Sequence, residues 1–313
     1  MIKRKLGKSG IEVSELAFGC VSIGLPYGIG VNGKDDMPSE QESVALLRTA
    51  VDKGINFFDT ARAYGTSEYL LGRAFKGIRD KVVICTKAGH FKSTDDKGIC
   101  DELNASFKES MKQLQTDHID VFMSHNGTLE LLSNDKIIDA YVKIKKSGVA
   151  RAIGVSVYTV EESLAAINSG VWDLVQIPFN LMDQRHSVAF EAAQKKGVGI
   201  VVRSVLFKGI LTDKGDNLHP ALNSVEQHRN LYKQLLSDKV PTLSKLATKF
   251  VLSQNGVSSV LVGIDKMKYL DDAIDVIDGN YLDEITLAKA KKLAYPDPDF
   301  LDLPKWDRMG WLK

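Results

Sequence analysis

The 313-residue sequence has little proline, little cysteine and almost no net charge. Its 41 Lys and Arg residues nearly balance 40 Asp and Glu residues, so we expect no broad positive surface for nucleic acid or an anionic membrane. The three cysteines, Cys20, Cys85 and Cys100, are odd in number and widely spaced, which fits neither a disulfide framework nor a Cys-x-x-Cys metal site. We therefore expect a protein of the reducing cytoplasm without a bound metal.

Long apolar runs are also missing. No window approaches the ~18 consecutive apolar residues at which a membrane span becomes plausible. The basic segment from Met1 to Lys8 alternates charged and apolar residues where a signal peptide would have an apolar core. We expect neither export nor a membrane partner. No linker or low-complexity run divides the chain, so we interpret residues 1–313 as a single domain.

Eight short apolar runs rich in Val, Ile and Phe alternate with stretches of helical spacing. The predicted strands are 15–19, 55–60, 82–87, 119–125, 150–157, 173–179, 199–205 and 258–264. The predicted helices are 39–53, 67–75, 100–114, 137–146, 160–167, 187–196, 243–254 and 267–277. Continuously hydrophobic strands that alternate with helices indicate a parallel sheet covered on both faces.

Eight such units predict an α/β protein with a closed (β/α)8 TIM barrel. Residues 1–14 alternate in polarity around a Lys-Ser-Gly turn and predict an N-terminal β-hairpin. Residues 220–238 and 283–293 predict two extra helices. The proline- and tryptophan-containing tail from Tyr295 to Lys313 predicts a C-terminal loop over the active-site face.

Three adjacent predicted strands end in residues that can exchange protons. Asp59 ends the second strand, Lys87 the third and His125 the fourth, while Tyr64 lies five residues beyond Asp59. Catalytic residues of barrel enzymes come from these strand ends. Each residue alone is more often a helix cap or a structural group. Together, an acid and an amine half-buried in a barrel mouth favour a functional site.

The set is suited to proton transfer by the tyrosine. A free phenol has a pKa of about 10, and a nearby cation such as Lys87 lowers it by stabilising the phenolate. Asp59 would hold Lys87 in place, and His125 would donate a hydrogen bond to a substrate oxygen. Because no side chain can supply hydride, this chemistry implies a nicotinamide cofactor.

A specific resemblance covers these residues. The segment from Gly54 to Gly72, GINFFDTARAYGTSEYLLG, together with Thr86-Lys87 and Ser124-His125-Asn126, resembles the aldo-keto reductase family. The similarity extends from the N-terminal hairpin to the last barrel helix. The Leu-Val-Gly-Ile run at 261–264 and the Thr-Lys-Ala-Gly-His-Phe segment at 86–91 resemble the sugar-oxidising branch that includes L-galactose dehydrogenase. The resemblance places the family's catalytic tetrad on Asp59, Tyr64, Lys87 and His125.

The resemblance also implies where a dinucleotide binds. Barrels of this type hold phosphate with the loops after strands seven and eight, here 204–212 and 262–269. The implied cofactor-binding residues are Gly19, Cys20, Ser156, Gln176, Arg203, Ser204, Leu206, Gly209, Gly263, Asp265, Lys266 and Tyr269. The chain departs from many members in having Val157 after Ser156, which loses an amide contact, and in having Arg203 where an aromatic residue stacks on the nicotinamide.

The choice between NAD(H) and NADP(H) stays open. Tyr269 replaces the arginine that binds the 2′-phosphate in NADP-dependent members, and Asp265 adds a negative charge, which both favour NAD. Lys266 and Lys268 remain as possible phosphate partners. The Gly-x-Gly-x-x-Gly match at 28–33 lies in a loop without a helix directly after it, so we interpret it as a chance match.

The sequence therefore predicts an NAD(P)-dependent oxidoreductase that transfers hydride between nicotinamide and an aldehyde, ketone or aldose, with Tyr64 as general acid and base. An alternative is a regulatory or scaffold subunit on the same barrel, which would bind nucleotide with little turnover. A third possibility is a barrel isomerase that uses the phosphate loops for its substrate. Nothing in the sequence defines an oligomeric state.

Overall fold

The computed structural model describes residues 1–31 and 33–312. The first two strands pair antiparallel as a hairpin, and the other eight close into a parallel barrel in the order β10-β3-β4-β5-β6-β7-β8-β9. The strands are β1 Lys3–Lys5, β2 Glu12–Ser14, β3 Leu16–Gly19, β4 Phe57–Asp59, β5 Val83–Lys87, β6 Ile119–Ser124, β7 Ala150–Ser156, β8 Leu174–Pro178, β9 Gly199–Arg203 and β10 Val257–Gly263. The predicted (β/α)8 barrel is confirmed.

Helices surround the barrel because each connection between parallel strands must cross back over the outside of the sheet. They are α1 Val21–Gly24, α2 Glu40–Asp52, α3 Ser67–Phe75, α4 Asp96–Gln113, α5 Leu129–Leu132, α6 Asp135–Lys146, α7 Val160–Asn168, α8 Ser187–Lys196, α9 Asn223–Leu231, α10 Leu243–Leu252, α11 Met267–Asp275, α12 Glu284–Lys292 and α13 Leu303–Arg308. Within the described residues, no helix combines the length and the apolar character needed to cross a membrane.

The hairpin closes the amino-terminal end of the barrel. Leu6, Ile11 and Val13 are almost fully buried and join the cluster of side chains inside the barrel. Gly7 lies against the backbone of β9, and a Cβ there would be 2.4 Å from the Gly199 nitrogen. With a φ of 55°, this position suits only glycine. The hairpin therefore covers the amino-terminal end and leaves the opposite, carboxyl end of the strands open to ligands.

Several element boundaries differ from the prediction. The third predicted barrel helix, α4, begins at Asp96 instead of residue 100 because Asp95 caps it and extends the first turn. The predicted helix at 220–238 is α9 flanked by short 3₁₀ turns, and that at 283–293 is α12. These helices formed near the expected places because apolar residues recur at helical spacing in both segments.

The expectation of a C-terminal loop is wrong for part of the tail. Residues 303–308 form α13, which Asp302 caps by accepting a hydrogen bond from the Lys305 N–H at 2.9 Å. Pro304 lies in the first turn, where proline is compatible with a helix. Trp306 is fully buried and its ring contacts those of Phe207 and Phe300. The tail therefore packs tightly on the loop after β9, on the predicted face.

Candidate active site

A cleft of about 1100 Å³ opens at the carboxyl ends of the barrel strands. The loops that follow β3, β8, β9 and β10 form its walls, and tail residues between 299 and 307 line one side. Small-molecule sites usually occupy roughly 300 to 1000 Å³, so this cleft has room for a large ligand or for two ligands together. It lies on the face that carries the catalytic residues of barrel enzymes.

Asp59 and Lys87 form a buried ion pair where β4 and β5 end. The Lys87 Nζ donates hydrogen bonds to Asp59 Oδ2 at 2.7 Å and to the Thr60 carbonyl oxygen at 3.0 Å. Gln176 on β8 donates its side-chain amide to Asp59 Oδ1 at 2.8 Å. Residues from β4, β5 and β8 therefore together fix the position of the Lys87 ammonium group, although β8 is not next to the other two strands.

The Lys87 side chain is fully buried, so its charge needs compensation. Burial alone would lower the pKa of Lys87, but the Asp59 carboxylate, together with smaller contributions from Tyr64 and Cys85, raises the pKa above its ordinary value. The ammonium therefore stays charged at neutral pH. A permanent cation at the rim of the barrel is the electrostatic element that the sequence predicts.

Tyr64 is half-buried between β4 and α3, and its ring faces this ammonium with 5.1 Å between Lys87 Nζ and the ring centroid. We expected the cation to make the phenol more acidic. The net direction is the opposite: burial raises the pKa of Tyr64 above 10, and the Lys87 charge lowers it only in part. Tyr64 is thus protonated near neutral pH, as a proton donor must be.

His125 follows β6 and lines the same cleft. Its ring meets the Tyr64 ring edge-on at 5.5 Å between centroids and stacks on His90 at 5.3 Å. Burial, reinforced by the Lys87 charge, lowers the pKa of His125 from 6.5 to about 3. Its Nδ1 is buried and makes no hydrogen bond to any described residue. A neutral imidazole of this kind can donate one hydrogen bond to a bound oxygen.

The loop that carries Tyr64 is fastened by Glu68, which sequence analysis did not single out. The buried Glu68 carboxylate accepts hydrogen bonds from Thr86 Oγ1 at 2.6 Å and from Arg62 Nη1 at 2.5 Å. The Arg62 backbone N–H in turn donates to the Lys87 carbonyl oxygen at 3.1 Å. Glu68 thereby ties the Tyr64 loop to the end of β5. Its signal in the sequence is a carboxylate in the first turn of the helix after Tyr64.

Eleven of the twelve residues expected to bind a dinucleotide line this cleft. They are Gly19, Cys20, Ser156, Gln176, Arg203, Ser204, Leu206, Gly209, Gly263, Asp265 and Tyr269. The twelfth, Lys266, instead lines a neighbouring groove of about 620 Å³, which Asp265 shares. Cys20 is fully buried, and burial raises the pKa of its thiol well above 9, so it is a small packing residue and no nucleophile.

The loop after β9 is strained. Five non-glycine residues of the described chain have positive φ, and three of them are Ser204 at 59°, Phe207 at 47° and Lys208 at 60°. Such conformations cost about 1 to 3 kcal/mol each and cluster at ligand sites. The Asn180 side chain supports the strained turn by donating from Nδ2 to the Ser204 carbonyl oxygen at 3.2 Å.

The residues present fit a ligand that carries phosphate. Helix α11 begins beside the cleft at Met267, and its N-cap residue Lys266 makes no side-chain capping bond. The first N–H groups of this helix are therefore available to an anion. In α10 the corresponding groups are capped by Thr242. An uncapped helix start next to a strained loop is a suitable cradle for the diphosphate of a nicotinamide dinucleotide.

Two exposed tyrosines also line the cleft and were not predicted. Tyr158 is 49% exposed and lies beneath the Arg203 guanidinium, whose carbon is 4.4 Å from the ring centroid. Tyr27 is 41% exposed, and the Lys208 ammonium is 5.2 Å from its ring centroid. Exposed aromatic rings beside a cleft are common at ligand sites. Their only sequence signal is an aromatic residue shortly after a strand.

A closed barrel with an acid, an ammonium, a phenol and an imidazole at the open rim defines a class of protein built for proton transfer on a bound small molecule. Comparison with known proteins gives the family. Residues 16–294 match the model of the "Aldo/keto reductase family". The chain belongs to this family, which confirms the resemblance found in the sequence.

Individual relatives are distant and cover almost the whole chain. The uncharacterized oxidoreductase YqkF of Bacillus subtilis is 28% identical over 91% of this chain and 94% of its own length. L-galactose dehydrogenase of Arabidopsis thaliana is 28% identical over 94% of both chains. The holo form of aldo-keto reductase AKR11C1 from Bacillus halodurans superposes with a TM-score of 0.76 at 26% identity, covering 94% of this chain and 96% of that chain. Family membership supports NAD(P)-dependent carbonyl chemistry in general.

Proposed function

We propose that this protein transfers hydride between a nicotinamide dinucleotide and the carbonyl carbon of an aldehyde, ketone or aldose, with Tyr64 as the general acid and base. The observation that carries the proposal is the buried Lys87 ammonium, bonded to Asp59 at 2.7 Å and lying 5.1 Å from the centre of the Tyr64 ring. A buried charge is retained at a cost. Its position beside a cleft-lining phenol gives that charge a chemical use.

In carbonyl reduction, the cofactor would supply the hydride to the carbonyl carbon. Tyr64 donates its proton to the carbonyl oxygen, which becomes the alcohol hydroxyl. The phenolate left behind is stabilised by the Lys87 ammonium, which Asp59 and Gln176 hold in place. Neutral His125 donates a hydrogen bond to the same oxygen and orients the carbonyl group. Oxidation of an alcohol follows the same path in reverse.

The residues proposed to hold the cofactor are those expected from the resemblance. Ser156 and Gln176 would bind the carboxamide, the strained loop from Ser204 to Gly209 would bind the diphosphate, and Gly263 to Tyr269 would bind the adenosine end. In support, the Lys214 ammonium lies 5.4 Å from the Tyr269 ring centroid, so this end of the cleft carries both an aromatic face and charge. Gly19, Cys20 and Arg203 complete the proposed site.

Two linked measurements test the function. Fluorescence titration with NADH and with NADPH should show saturable binding to at least one of them, and the ratio of the two affinities gives the cofactor preference. Loss of reduced-nicotinamide absorbance with a panel of aldehydes, ketones and aldoses should then show turnover. Aldoses belong in the panel because one relative is named L-galactose dehydrogenase.

Each alternative predicts a different result. A regulatory or scaffold subunit would bind dinucleotide and turn over no member of the panel. A phosphate-handling isomerase would bind neither dinucleotide. Either outcome would remove the proposed oxidoreductase activity, whereas binding followed by turnover of a carbonyl compound supports it.

A further inference from the structure

Half of the cationic side chains that line the cleft are already paired with carboxylates. The pairs are Arg185 with Asp183 at 2.8 Å and Asp299 at 3.0 Å, Lys208 with Asp307, and Lys245 with Asp275 at 2.7 Å. Two further lysines, Lys214 and Lys268, are exposed, so water solvates their charge. None of these five cations therefore needs a ligand to balance it.

Arg203 differs from all of them. It is half-buried at the end of β9, and no carboxylate of residues 1–31 or 33–312 forms an ion pair with it. Its Nη2 donates to the Val157 carbonyl oxygen at 2.9 Å, and its Nη1 is 3.4 Å from Ser204 Oγ. A guanidinium has five N–H groups. Arg203 therefore keeps both an unbalanced charge and unused donors.

The surroundings hold this guanidinium firmly. One face lies against the Tyr158 ring at 4.4 Å from the centroid. The next residue, Ser204, has a φ of 59° and its carbonyl oxygen is held by Asn180. A strained and buttressed backbone keeps a side chain in place for a ligand at the expense of stability. Arg203, which lines the cleft, is thus held in place while part of its N–H groups stay unused.

Arg203 is also electrostatically close to the proposed reacting groups. Its charge contributes to lowering the pKa of His125, after the larger effects of burial, Lys87 and His90. It opposes, together with Lys87, the rise in the pKa of Tyr64 that burial causes. In the register of β8 and β9, Arg203 is paired with Pro178, which lies two residues after Gln176. A substrate carbonyl at Tyr64 and His125 would therefore lie within the field of a second, unpaired cation.

We infer that Arg203 binds an anionic group, a carboxylate or a phosphate, that the substrate carries close to its reacting carbonyl. A guanidinium matches the planar oxygen pair of either anion with two parallel hydrogen bonds. The substrate class is then that of oxo acids or phosphorylated aldehydes and aldoses, in preference to their neutral counterparts. This inference rests on the proposed function and gives Arg203 a substrate partner in addition to its proposed contact with the cofactor.

The test uses two matched substrate pairs. Glyoxylate against glycolaldehyde examines a carboxylate, and glyceraldehyde 3-phosphate against glyceraldehyde examines a phosphate. We expect kcat/KM of the full-length enzyme to favour the anionic member of at least one pair by about 10-fold or more. Arg203→Gln should reduce that anion-to-neutral ratio by about 10- to 100-fold, mainly through KM, because a charge-assisted bidentate contact is lost. Arg203→Lys should recover part of it.

Arg185→Gln is the matched control because it removes the same charge from the same cleft, but from a guanidinium that Asp183 and Asp299 already balance. Its anion-to-neutral ratio should stay within about twofold of the unsubstituted enzyme. Equal losses with neutral and anionic substrates in Arg203→Gln, accompanied by weaker dinucleotide binding, would overturn the inference and leave only the cofactor contact. A lack of anionic preference in both pairs of the unsubstituted enzyme would overturn it as well.

A binding measurement separates failure of this inference from failure of the proposed function. Oxalate and 2-phosphoglycolate should raise the thermal unfolding temperature of the unsubstituted protein, and the increase should disappear in Arg203→Gln but persist in Arg185→Gln. If no carbonyl compound is turned over and this Arg203-dependent increase is present, the oxidoreductase function fails while the anion site stands. If neither turnover nor the Arg203-dependent increase in unfolding temperature is observed, both the proposed function and the inference about Arg203 fail.

Discussion

The two ends of the barrel each hold a buried carboxylate, a cation and a tyrosine, in different arrangements. At the closed end, Glu15 accepts hydrogen bonds from Arg4 at 3.0 Å and from the Tyr281 hydroxyl. Arg4 also donates to the Val257 carbonyl oxygen at 2.9 Å, so the cation joins the hairpin to β10. At the open end, Asp59 pairs with Lys87, and the ring of Tyr64 faces the ammonium.

The difference lies in what the tyrosine hydroxyl does. The Tyr281 hydroxyl donates a hydrogen bond to the Glu15 carboxylate, so it belongs to a structural network whose hydrogen bonds are already made. The Tyr64 hydroxyl makes no hydrogen bond to a carboxylate of the described chain, and Tyr64 lines a large cleft. A buried ion pair beside a tyrosine is therefore weak support for catalysis by itself. At the open end, the Tyr64 hydroxyl keeps its proton available and lies beside a cleft large enough for a ligand. This feature distinguishes the end that we propose to be catalytic.

The largest expected effect comes from removing each hydroxyl in turn. Tyr64→Phe should lower turnover by about 10²- to 10⁴-fold, which is the usual contribution of general acid–base catalysis. Dinucleotide affinity should change little, because the phenyl ring still fills the same space. Tyr281→Phe should keep turnover and lose about 1 to 2 kcal/mol of unfolding free energy, because Glu15 loses one of its donors. Steady-state kinetics and urea unfolding measure the two effects.

The contrast between the two ends would be contradicted if both phenylalanine variants kept full turnover, because Tyr64 would then have only a structural role, like Tyr281. It would also break if Tyr281→Phe lost turnover without losing stability. Circular dichroism at the assay temperature checks that each variant is folded, so that a loss of activity is not caused by unfolding.

The next effect separates the two cations. Lys87→Met and Arg4→Met each leave a buried carboxylate with fewer partners, so each should cost about 3 to 5 kcal/mol of unfolding free energy. Only Lys87→Met should also lower turnover, by less than Tyr64→Phe does, because no cation then stabilises the Tyr64 phenolate. The double variant Asp59→Asn with Lys87→Met should recover part of the stability but none of the turnover, whereas recovered turnover would show that the ammonium is dispensable.

The sequence was sufficient for those features that repeat or that end a strand. Eight apolar runs that alternate with helical segments specify a barrel because alternating strands and helices have few ways to close. Asp59, Lys87 and His125 could be placed on one rim because parallel strands put their carboxyl ends at the same edge. Tyr64, five residues beyond Asp59 in the following loop, was added as the phenol that the Lys87 cation could serve, and the family resemblance agreed with this choice. The geometry brings these four residues together, and their catalytic roles stay predictions.

The sequence was insufficient where distant segments decide the outcome. Prolines near Trp306 suggest a loop, but burial of that ring against Phe207 stabilises a helix, and the contact spans about a hundred residues. The pKa of Tyr64 depends on the balance between burial and the Lys87 charge, and burial requires the tertiary structure. The unpaired state of Arg203 likewise becomes visible only when every nearby carboxylate has been located.

The last expected effect concerns acid stability, and it belongs to the open end. His186 follows β8, near the cleft residues Asp183 and Arg185, and is almost fully buried. Burial lowers the pKa of His186 from 6.5 to about 4, although the nearby Thr159 backbone and the Asp183 charge oppose this. Between these two pH values the unfolded chain binds more protons than the folded one at this site. Stability should therefore be constant above about pH 6.5 and fall as the pH decreases toward 4.

A shift of this size corresponds to roughly 3 to 4 kcal/mol of unfolding free energy, since one pKa unit is about 1.4 kcal/mol. His186→Gln should lose some stability at pH 7.5 through imperfect packing, yet its stability should decline less steeply than that of the unsubstituted protein between pH 6.5 and 4. Urea unfolding at half-unit pH intervals measures both slopes. Parallel slopes would assign the acid sensitivity to other groups, and the first of these to examine is His125, whose pKa burial lowers to about 3.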